Sequence, residues 1–341
     1  MEKPVQVVIV GAGPAGSVCG YLLKKAGVDC VLIDYATFPR EKLCGGGLTP
    51  KAYELLHELI PDLCYDYQAV KRFKLMMDGL ALCEVDLSKE LRMVPRKEFD
   101  YALLQQYLAI GGVFHQGAFL RYDEQPDGKI KVTLRSGEQW VCDYLVGADG
   151  AFSRVRKQLT GQRFRNVLFL EQYVEKGPNV FVFEFSNYYK KGYYYSFPNV
   201  GWDIVGVGGE YSSAEELRSI LRGKNIREMV PLNGAVVKGA TIPVNTLDSG
   251  KKHVILIGDA GGFPNKLTFE GLYYAIATGR NASIAIIEGV DFSTVNRQLF
   301  RKKTRKEVFL SRFCYSRLGL GLMKLGAHFP KLIKKAFEMN Y

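Results

Sequence analysis

The sequence predicts an α/β fold: a mostly parallel central sheet with helices, assembled from three separated stretches, with an inserted antiparallel sheet and a helical C-terminus. Three observations predict it. The β-branched run Val5-Gln6-Val7-Val8-Ile9-Val10 leads into Gly11-Ala12-Gly13-Pro14-Ala15-Gly16 and then into a helical pattern, the order of a dinucleotide-binding unit. Two more strand-like runs enter glycine loops, at Gly147-Ala148-Asp149-Gly150 and at Gly258-Asp259-Ala260-Gly261-Gly262. Between those two loops, residues 164–244 are dominated by aromatic strand-like runs such as Val180-Phe181-Val182-Phe183-Glu184-Phe185.

In chain order, residues 5–10 are apolar enough for a strand buried on both faces. Residues 17–26 have helical periodicity, and Gly27 is a natural C-cap. Cys30-Val31-Leu32-Ile33 is the second strand and ends at Asp34. Residues 73–87 read as a β-hairpin turning at Asp78-Gly79. Residues 99–109 are helical, Val113-Phe114-His115 is a short strand, and residues 120–140 form another hairpin turning at Asp127-Gly128. Tyr144-Leu145-Val146 enters the second glycine loop, and a helix opens near Ser153-Arg154-Val155-Arg156. One helix, about residues 214–222, interrupts the aromatic sheet. Residues 253–257 are the strand into the third loop, and a helix follows over about 270–288. Residues 297–341 are helical and basic. The nucleotide-binding part therefore comprises 1–70, 95–163 and 245–296, the inserted sheet 71–94 and 164–244, and the C-terminal segment 297–341.

Composition narrows the function classes. The 341 residues allow one large or two interleaved domains. With 47% hydrophobic and 24% charged residues the chain reads as soluble and globular. No apolar run approaches the ~18 residues of a membrane span, and residues 5–10 are too short for a secretory h-region. Seven cysteines at scattered spacing, with no CxxC pair, suggest neither a disulfide framework nor a zinc site, so a cytoplasmic location is expected. His57, His115, His253 and His328 stand apart in sequence, and no metal is expected. Residues 297–341 hold twelve Lys/Arg against Glu307 and Glu338, which is +10 of the chain's net +11. The remaining chain is nearly neutral, which argues against a nucleic-acid groove.

That tail supports two readings. Arg301-Lys302-Lys303-Thr304-Arg305-Lys306 is followed by Val308-Phe309-Leu310, Leu318, Leu320, Leu322-Met323 and Leu325. Such a helix can lie on an anionic membrane surface, peripheral to the inner face. It can equally pack on its own domain with a solvated lysine face.

The first loop has a mechanism at each glycine. Gly11 permits the tight turn, Gly13 lets a pyrophosphate approach the backbone, and Gly16 lets helix and strand pack closely. The helix N-terminus offers N–H groups and a partial positive charge to phosphates. Asp34, 21 residues after Gly13, is placed to accept hydrogen bonds from a ribose diol. Asp259 is placed for a sugar-alcohol hydroxyl.

Together the three loops resemble the fingerprints of the flavoprotein family that includes p-hydroxybenzoate hydroxylase and the geranylgeranyl reductases, over about residues 1–290. The resemblance implies a discontinuous Rossmann-type FAD-binding domain. Gly11, Gly13, Ala15 and Gly16 would take the pyrophosphate and Asp34 the adenosine ribose. The loop of Asp149 would lie by the pyrophosphate, and Gly258 and Asp259 would hold the ribityl chain. Gly271 and Leu272 would stand where the following helix points at the ring, its dipole stabilising negative charge on reduced flavin. Arg96, before Lys97-Glu98-Phe99-Asp100, matches an arginine that such proteins place near the FAD phosphates. Pro39-Arg40-Glu41-Lys42-Leu43-Cys44-Gly45-Gly46-Gly47 resembles the geranylgeranyl reductase branch's loop near the flavin ring. Arg40, Cys44, Gly45 and Gly46 are accordingly candidate cofactor contacts. Cys44 is also the candidate catalytic residue, as proton donor or redox-sensitive thiol. Tyr193-Tyr194-Tyr195-Ser196-Phe197-Pro198 resembles that branch's YxWxFP motif, which lines a hydrophobic cavity. Tyr193, Tyr195, Phe197 and Pro198 thus become candidate lining residues, with Tyr195 where tryptophan is usual. Alignment on Gly258-Asp259 and Glu270-Gly271 puts Lys266 and Phe269 where the family has proline and glycine, and Phe269 should narrow the space beside the ring. Within the family the chain resembles the CbrA-like members.

The resemblance implies an FAD-dependent oxidoreductase that reduces C=C bonds of a hydrophobic, isoprenoid-like substrate by hydride transfer from reduced flavin. No second GxGxxG follows a strand, so NAD(P)H or another reductant would be a transient donor. The same fold serves an FAD-dependent monooxygenase acting on an aromatic or polyprenyl substrate, the alternative function. A non-catalytic flavin-binding or redox-sensing protein at the membrane is the third reading.

Overall fold

The structure is a computed structural model and describes residues 2–161, 166–211, 213–227, 236–244 and 247–339. Val7–Val10 is wholly buried, as a strand in the middle of a parallel sheet must be. It pairs in parallel with Tyr144–Gly147 on one side and Cys30–Asp34 on the other. Val254–Leu256 and Val113–Gln116 extend the sheet in parallel, and Gly250–Lys251 closes one edge as an antiparallel ribbon. Helices Pro14–Lys25, Arg96–Ala109 and Leu272–Glu288 cover one face, where Ile9, Val18, Leu32, Leu103, Tyr107 and Ile276 form a shared core.

The other face of this sheet is covered by strands. Phe119–Glu124, Ile130–Leu134 and Gln139–Cys142 form an antiparallel set, to which Glu2–Pro4 adds in parallel. Their Phe119, Tyr122, Val132 and Trp140 bury Val8, Val10, Val31 and Ile33. The expected hairpin at Asp127-Gly128 is thus one part of a separate four-stranded layer.

The eight-stranded sheet carries the aromatic runs. Its order is Lys238–Pro243, Asn166–Val174, Asp203–Gly209, Tyr193–Pro198, Phe181–Phe185, Gln68–Met77, Leu80–Met93 and Gly47–Leu48. All neighbours are antiparallel except Phe181–Phe185 against Gln68–Met77. The expected hairpin turns at Asp78-Gly79, with φ of 51° and 84°, the left-handed pair that a tight two-residue hairpin needs. Alternation gives the sheet two different faces. Phe73, Phe169, Phe181, Phe183, Tyr193, Tyr195 and Phe197 share one face with Phe269. Leu170, Tyr194, Val205 and Val207 share the other, which is covered by helix Ala214–Arg227 through Leu217 and Leu221.

The C-terminal segment forms helices Arg297–Cys314, Arg317–Gly326 and Pro330–Glu338. It packs on its own chain. Phe337 stacks on Phe73 with ring centroids 4.0 Å apart and planes 11° from parallel, and Met323 and Ile333 join the same apolar cluster. Glu338 accepts hydrogen bonds from the Ser88 N–H and hydroxyl. On the opposite side Phe309, Leu318, Leu322, Leu325, Phe329 and Leu332 are exposed. The side chains of residues 301–305, most of the basic run noted above, lie outside the described residues. No helix among the described residues is long and apolar enough to cross a membrane.

Candidate functional site

The three glycine loops converge at the end of the parallel sheet, and glycine makes each contact possible. A Cβ on Gly11 would lie 2.3 Å from the Ala148 carbonyl oxygen, so the first two loops touch there, with Gly11 at φ 108°. A Cβ on Gly16 would lie 1.9 Å from the Gly11 oxygen, and one on Gly279 of the last sheet-covering helix 2.5 Å from the Ala15 oxygen. Gly258 brings the third loop to Ala15. Arg156 ties the second loop to the third, its Nη2 donating to the Ala151 carbonyl at 3.2 Å and its Nη1 to that of Ala260 at 3.0 Å. Burial pulls this guanidinium down to about 10. Sequence reasoning missed Arg156 as a clamp, because a lone arginine in a helix's first turn carries no signal for the backbone it will meet.

Gly13 differs from the other glycines. Its backbone is extended, and the nearest atom to an added Cβ is Arg40 Nη2 at 3.4 Å. It caps helix Pro14–Lys25 without any side-chain hydrogen bond, so the positive end of the helix opens onto that space. Arg40 stands there on a charged relay: Asp100 takes Arg96 bidentately at 2.8 and 2.9 Å and Arg40 at 3.2 Å. Two guanidinium groups share one buried carboxylate, which leaves net positive charge beside Gly13. Burial opposes ionisation of Arg96, but the charge of Asp100 and the nearby Cys44 thiol hold it above the ordinary arginine value. Asp34 is buried at its strand end and accepts from the Ala12 and Ala36 N–H groups at 2.8 and 2.9 Å.

The two remaining acidic candidates behave differently from each other. The Asp149 carboxylate accepts from the Arg154 and Val155 N–H groups at 2.7 and 3.3 Å and from the Ser153 hydroxyl. It therefore satisfies N–H groups at the start of helix Arg154–Thr160, whose N-cap Ser153 takes the Arg156 N–H. Burial still raises it above the usual carboxylate range. Asp259 has no hydrogen bond to its carboxyl among the described residues. Burial raises it too, against the pull of Lys42 and Arg96. Gly271, whose Cβ would lie 3.5 Å from Asp259 Oδ1, begins the helix Leu272–Glu288, again with no side-chain cap. The cradle at Gly13, the positive relay and the partly exposed carboxyl of Asp259 fit a pyrophosphate and a polyol, and hence a dinucleotide such as FAD.

The loop Cys44-Gly45-Gly46 bridges the parallel sheet and the aromatic sheet. A Cβ on Gly45 would meet the Phe197 ring at 2.5 Å, and one on Gly46, at φ 75°, the Val94 oxygen at 2.3 Å. The half-buried Cys44 accepts the Gly46 N–H at 3.4 Å. Over this loop lies the apolar face. Phe197 stacks on Phe181 at 4.0 Å, Pro198 is buried at the strand end, and the Tyr193 hydroxyl donates to the Thr268 carbonyl at 2.7 Å. Phe269 adopts φ 57°, left-handed backbone unusual for a bulky residue, at the position where the resemblance has glycine. Its ring meets Phe169 edge-on at 5.0 Å.

The C-terminal segment holds that loop. Glu307 accepts from Asn265 Nδ2 at 3.1 Å, the Tyr274 hydroxyl at 3.2 Å and the Lys266 N–H at 3.3 Å, and the Tyr315 hydroxyl donates to the Leu267 carbonyl at 2.7 Å. Lys266 is half-buried, and burial lowers its ammonium despite the charge of Glu307. Lys51 and Thr49 fix Glu270 at 2.8 and 2.6 Å. These anchors are far apart in sequence, and nothing in local pattern announces them. Among the described residues no group of three or more His, Cys, Asp or Glu could hold a metal ion.

Residues 4–168 match the family described as FAD binding domain. The chain is 29% identical to a menaquinone reductase of Mycobacterium tuberculosis, over 83% of this chain and 76% of that protein. It is 29% identical to the geranylgeranyl diphosphate reductase of Rhodobacter capsulatus, over 81% of this chain and 73% of that protein. The solved structure of a geranylgeranyl bacteriochlorophyll reductase-like protein from Thermoplasma acidophilum shares the fold, with TM-score 0.74 at 19% identity, over 96% of this chain and 89% of its own. With three glycine loops gathered at one sheet end and an aromatic face above them, the chain is an FAD-dependent oxidoreductase that is similar over most of its length to geranylgeranyl diphosphate and menaquinone reductases.

Proposed function

We propose that this protein reduces a C=C bond of a hydrophobic, isoprenoid-like molecule. The observation that carries the reading is the apolar face of Phe169, Phe181, Phe183, Tyr193, Phe197 and Phe269, set against the Cys44 loop with Cys44 at its edge. When bound, FAD supplies the two-electron chemistry. The chain's own residues bind and orient. Gly11, Gly13, Ala15, Gly16 and Arg40 receive the pyrophosphate, with Arg96 charged behind them, Asp34 receives the ribose, and Gly258 and Asp259 receive the polyol. Cys44, Gly45, Gly46, Gly271 and Leu272 face the ring, while Asp149 supports the second loop from behind. Tyr193, Tyr195, Phe197 and Phe269 exclude water from the substrate, and Pro198 ends the strand that carries the first three. The electron donor, NAD(P)H or another reductant, binds transiently. The exposed Phe309, Leu318, Leu322, Leu325, Phe329 and Leu332 lie among basic residues and let the C-terminal helices rest on an anionic membrane from which such a substrate is drawn.

The test is anaerobic turnover of the reduced protein with geranylgeranyl diphosphate or a menaquinone, followed by mass spectrometry. Gain of two hydrogens per C=C supports the reading. Turnover only with oxygen, giving a hydroxylated product, sinks it in favour of a monooxygenase. Binding to anionic vesicles, weakened by Phe329→Asp with Leu332→Asp, tests the membrane contact. Equal binding by wild type and variant rejects that contact.

A further inference from the structure

A carboxyl group interrupts the apolar face. The positions that alternate onto it from strands Asn166–Val174, Asp203–Gly209, Tyr193–Pro198 and Phe181–Phe185 include a single carboxyl among the described residues, Glu171. It is 3% exposed. Its Oε2 is joined to the Tyr195 hydroxyl at 2.7 Å, and its Oε1 is buried with no hydrogen-bond partner. The Cys44 backbone is among the groups that act on its charge, so the carboxyl adjoins the loop at the proposed ring site.

The contact is built by register. Glu171 and Tyr195 both pair with Gly206 on the intervening strand. A Cβ on Gly206 would lie 2.4 Å from the Tyr195 oxygen. Only a bare backbone at 206 lets the phenol lie across that strand to reach Glu171. Tyrosine at 195 supplies the hydroxyl. An unpartnered carboxyl oxygen in an apolar setting is strongly disfavoured as an anion.

We propose that Glu171 is the proton donor for the reduction, with Tyr195 as its positioning residue. This rests on the C=C reduction proposed above. The π bond breaks and two C–H bonds form. One carbon receives the hydride pair from reduced flavin, the other receives the proton of Glu171, and the carboxylate left behind is reprotonated from solvent before the next turnover. Burial holds the carboxyl above the ordinary carboxylate range, while Tyr195, the Cys44 backbone, Lys42 and Arg96 pull the other way and stabilise the anion once it forms. Tyr173 is the other phenol that feels the charge of Glu171.

Two measurements test this. Infrared spectroscopy of the apoprotein at neutral pH should show a protonated-carboxyl band that Glu171→Gln removes and Gly206→Ala shifts. An ionised Glu171 at neutral pH overturns the proposal whatever the substrate proves to be. In single turnovers with a geranylgeranyl substrate, Glu171→Gln should reduce flavin normally but slow alkene reduction by roughly 10²–10⁴-fold, with Glu171→Asp partly restoring it. Near-normal alkene reduction by Glu171→Gln, together with its loss in Cys44→Ala, assigns the proton to Cys44 and overturns the proposal. If the wild type reduces no alkene, the proposed reaction fails and so does the donor role, and a protonated-carboxyl band then marks a structural acid only.

Discussion

Replacing Gly13 by valine should remove FAD binding and leave the fold standing. Gly13 has φ −73° and ψ −177°, extended backbone that any residue adopts. The nearest atom to an added Cβ is the end of the flexible Arg40 side chain at 3.4 Å. Nothing in the protein alone requires glycine here. Changing glycine where the backbone is compatible stabilises by about 0.4–1 kcal/mol through the unfolded chain, slightly less for a β-branched residue. Phosphate groups need the same space. Loss of two charge-assisted hydrogen bonds, at about 1.5–3 kcal/mol each, weakens FAD by about 3–6 kcal/mol, or roughly 10²–10⁴-fold in Kd. Gly16→Ala is the contrast, because its Cβ would lie 1.9 Å from backbone that cannot swing away. Thermal melts of both apoproteins and FAD titrations by flavin fluorescence separate the two effects. If Gly13→Val melts as early as Gly16→Ala, or binds FAD within about threefold of wild type, the loop has been misread.

Other outcomes follow from the packing and the buried charges. Phe337→Ala removes a half-buried ring stacked on Phe73. It should weaken docking of the last helix by about 2 kcal/mol, seen as lost hydrogen-exchange protection across Pro330–Glu338 with the parallel sheet unaffected. Lys224→Met strips the buried Glu184 of its ion pair and should destabilise by about 3–5 kcal/mol. Adding Glu184→Leu should recover most of that, and a double variant no better than the single would show that the lost charge pair is not the cause. Glu171 is raised by burial, so its stabilising contribution is complete below the unfolded value of about 4.3 and is lost as pH rises through the raised folded value. Melting temperatures of wild type and Glu171→Gln across pH 4–8 should therefore shift in the variant's favour as pH rises, and a constant difference would contradict the burial argument.

Much of the architecture was legible because its signals are local. Val7–Val10 followed by Gly11, Gly13 and Gly16 states a strand, a turn and a helix within a dozen residues, and φ 108° at Gly11 is the conformation glycine is there to adopt. Asp78-Gly79 announces its hairpin in the same way. The helix expected from residue 99 begins at Arg96, and the one expected from 270 begins at Leu272, since propensity locates an element better than it locates its ends. The four-stranded layer was legible only as one hairpin. Its parallel seam with Glu2–Pro4 joins residues far apart in the chain, which periodicity cannot show.

The sequence alone determined the parallel sheet, its three glycine loops and the aromatic richness of the inserted strands, because each depends on neighbours within one turn or one strand. Only the tertiary structure decided that Arg156 and Glu307 clamp distant loops, and that Glu171 meets Tyr195 across Gly206. Those contacts depend on strand register and on which buried polar group finds a partner. Both are settled only when segments far apart in the chain compete for the same desolvated space.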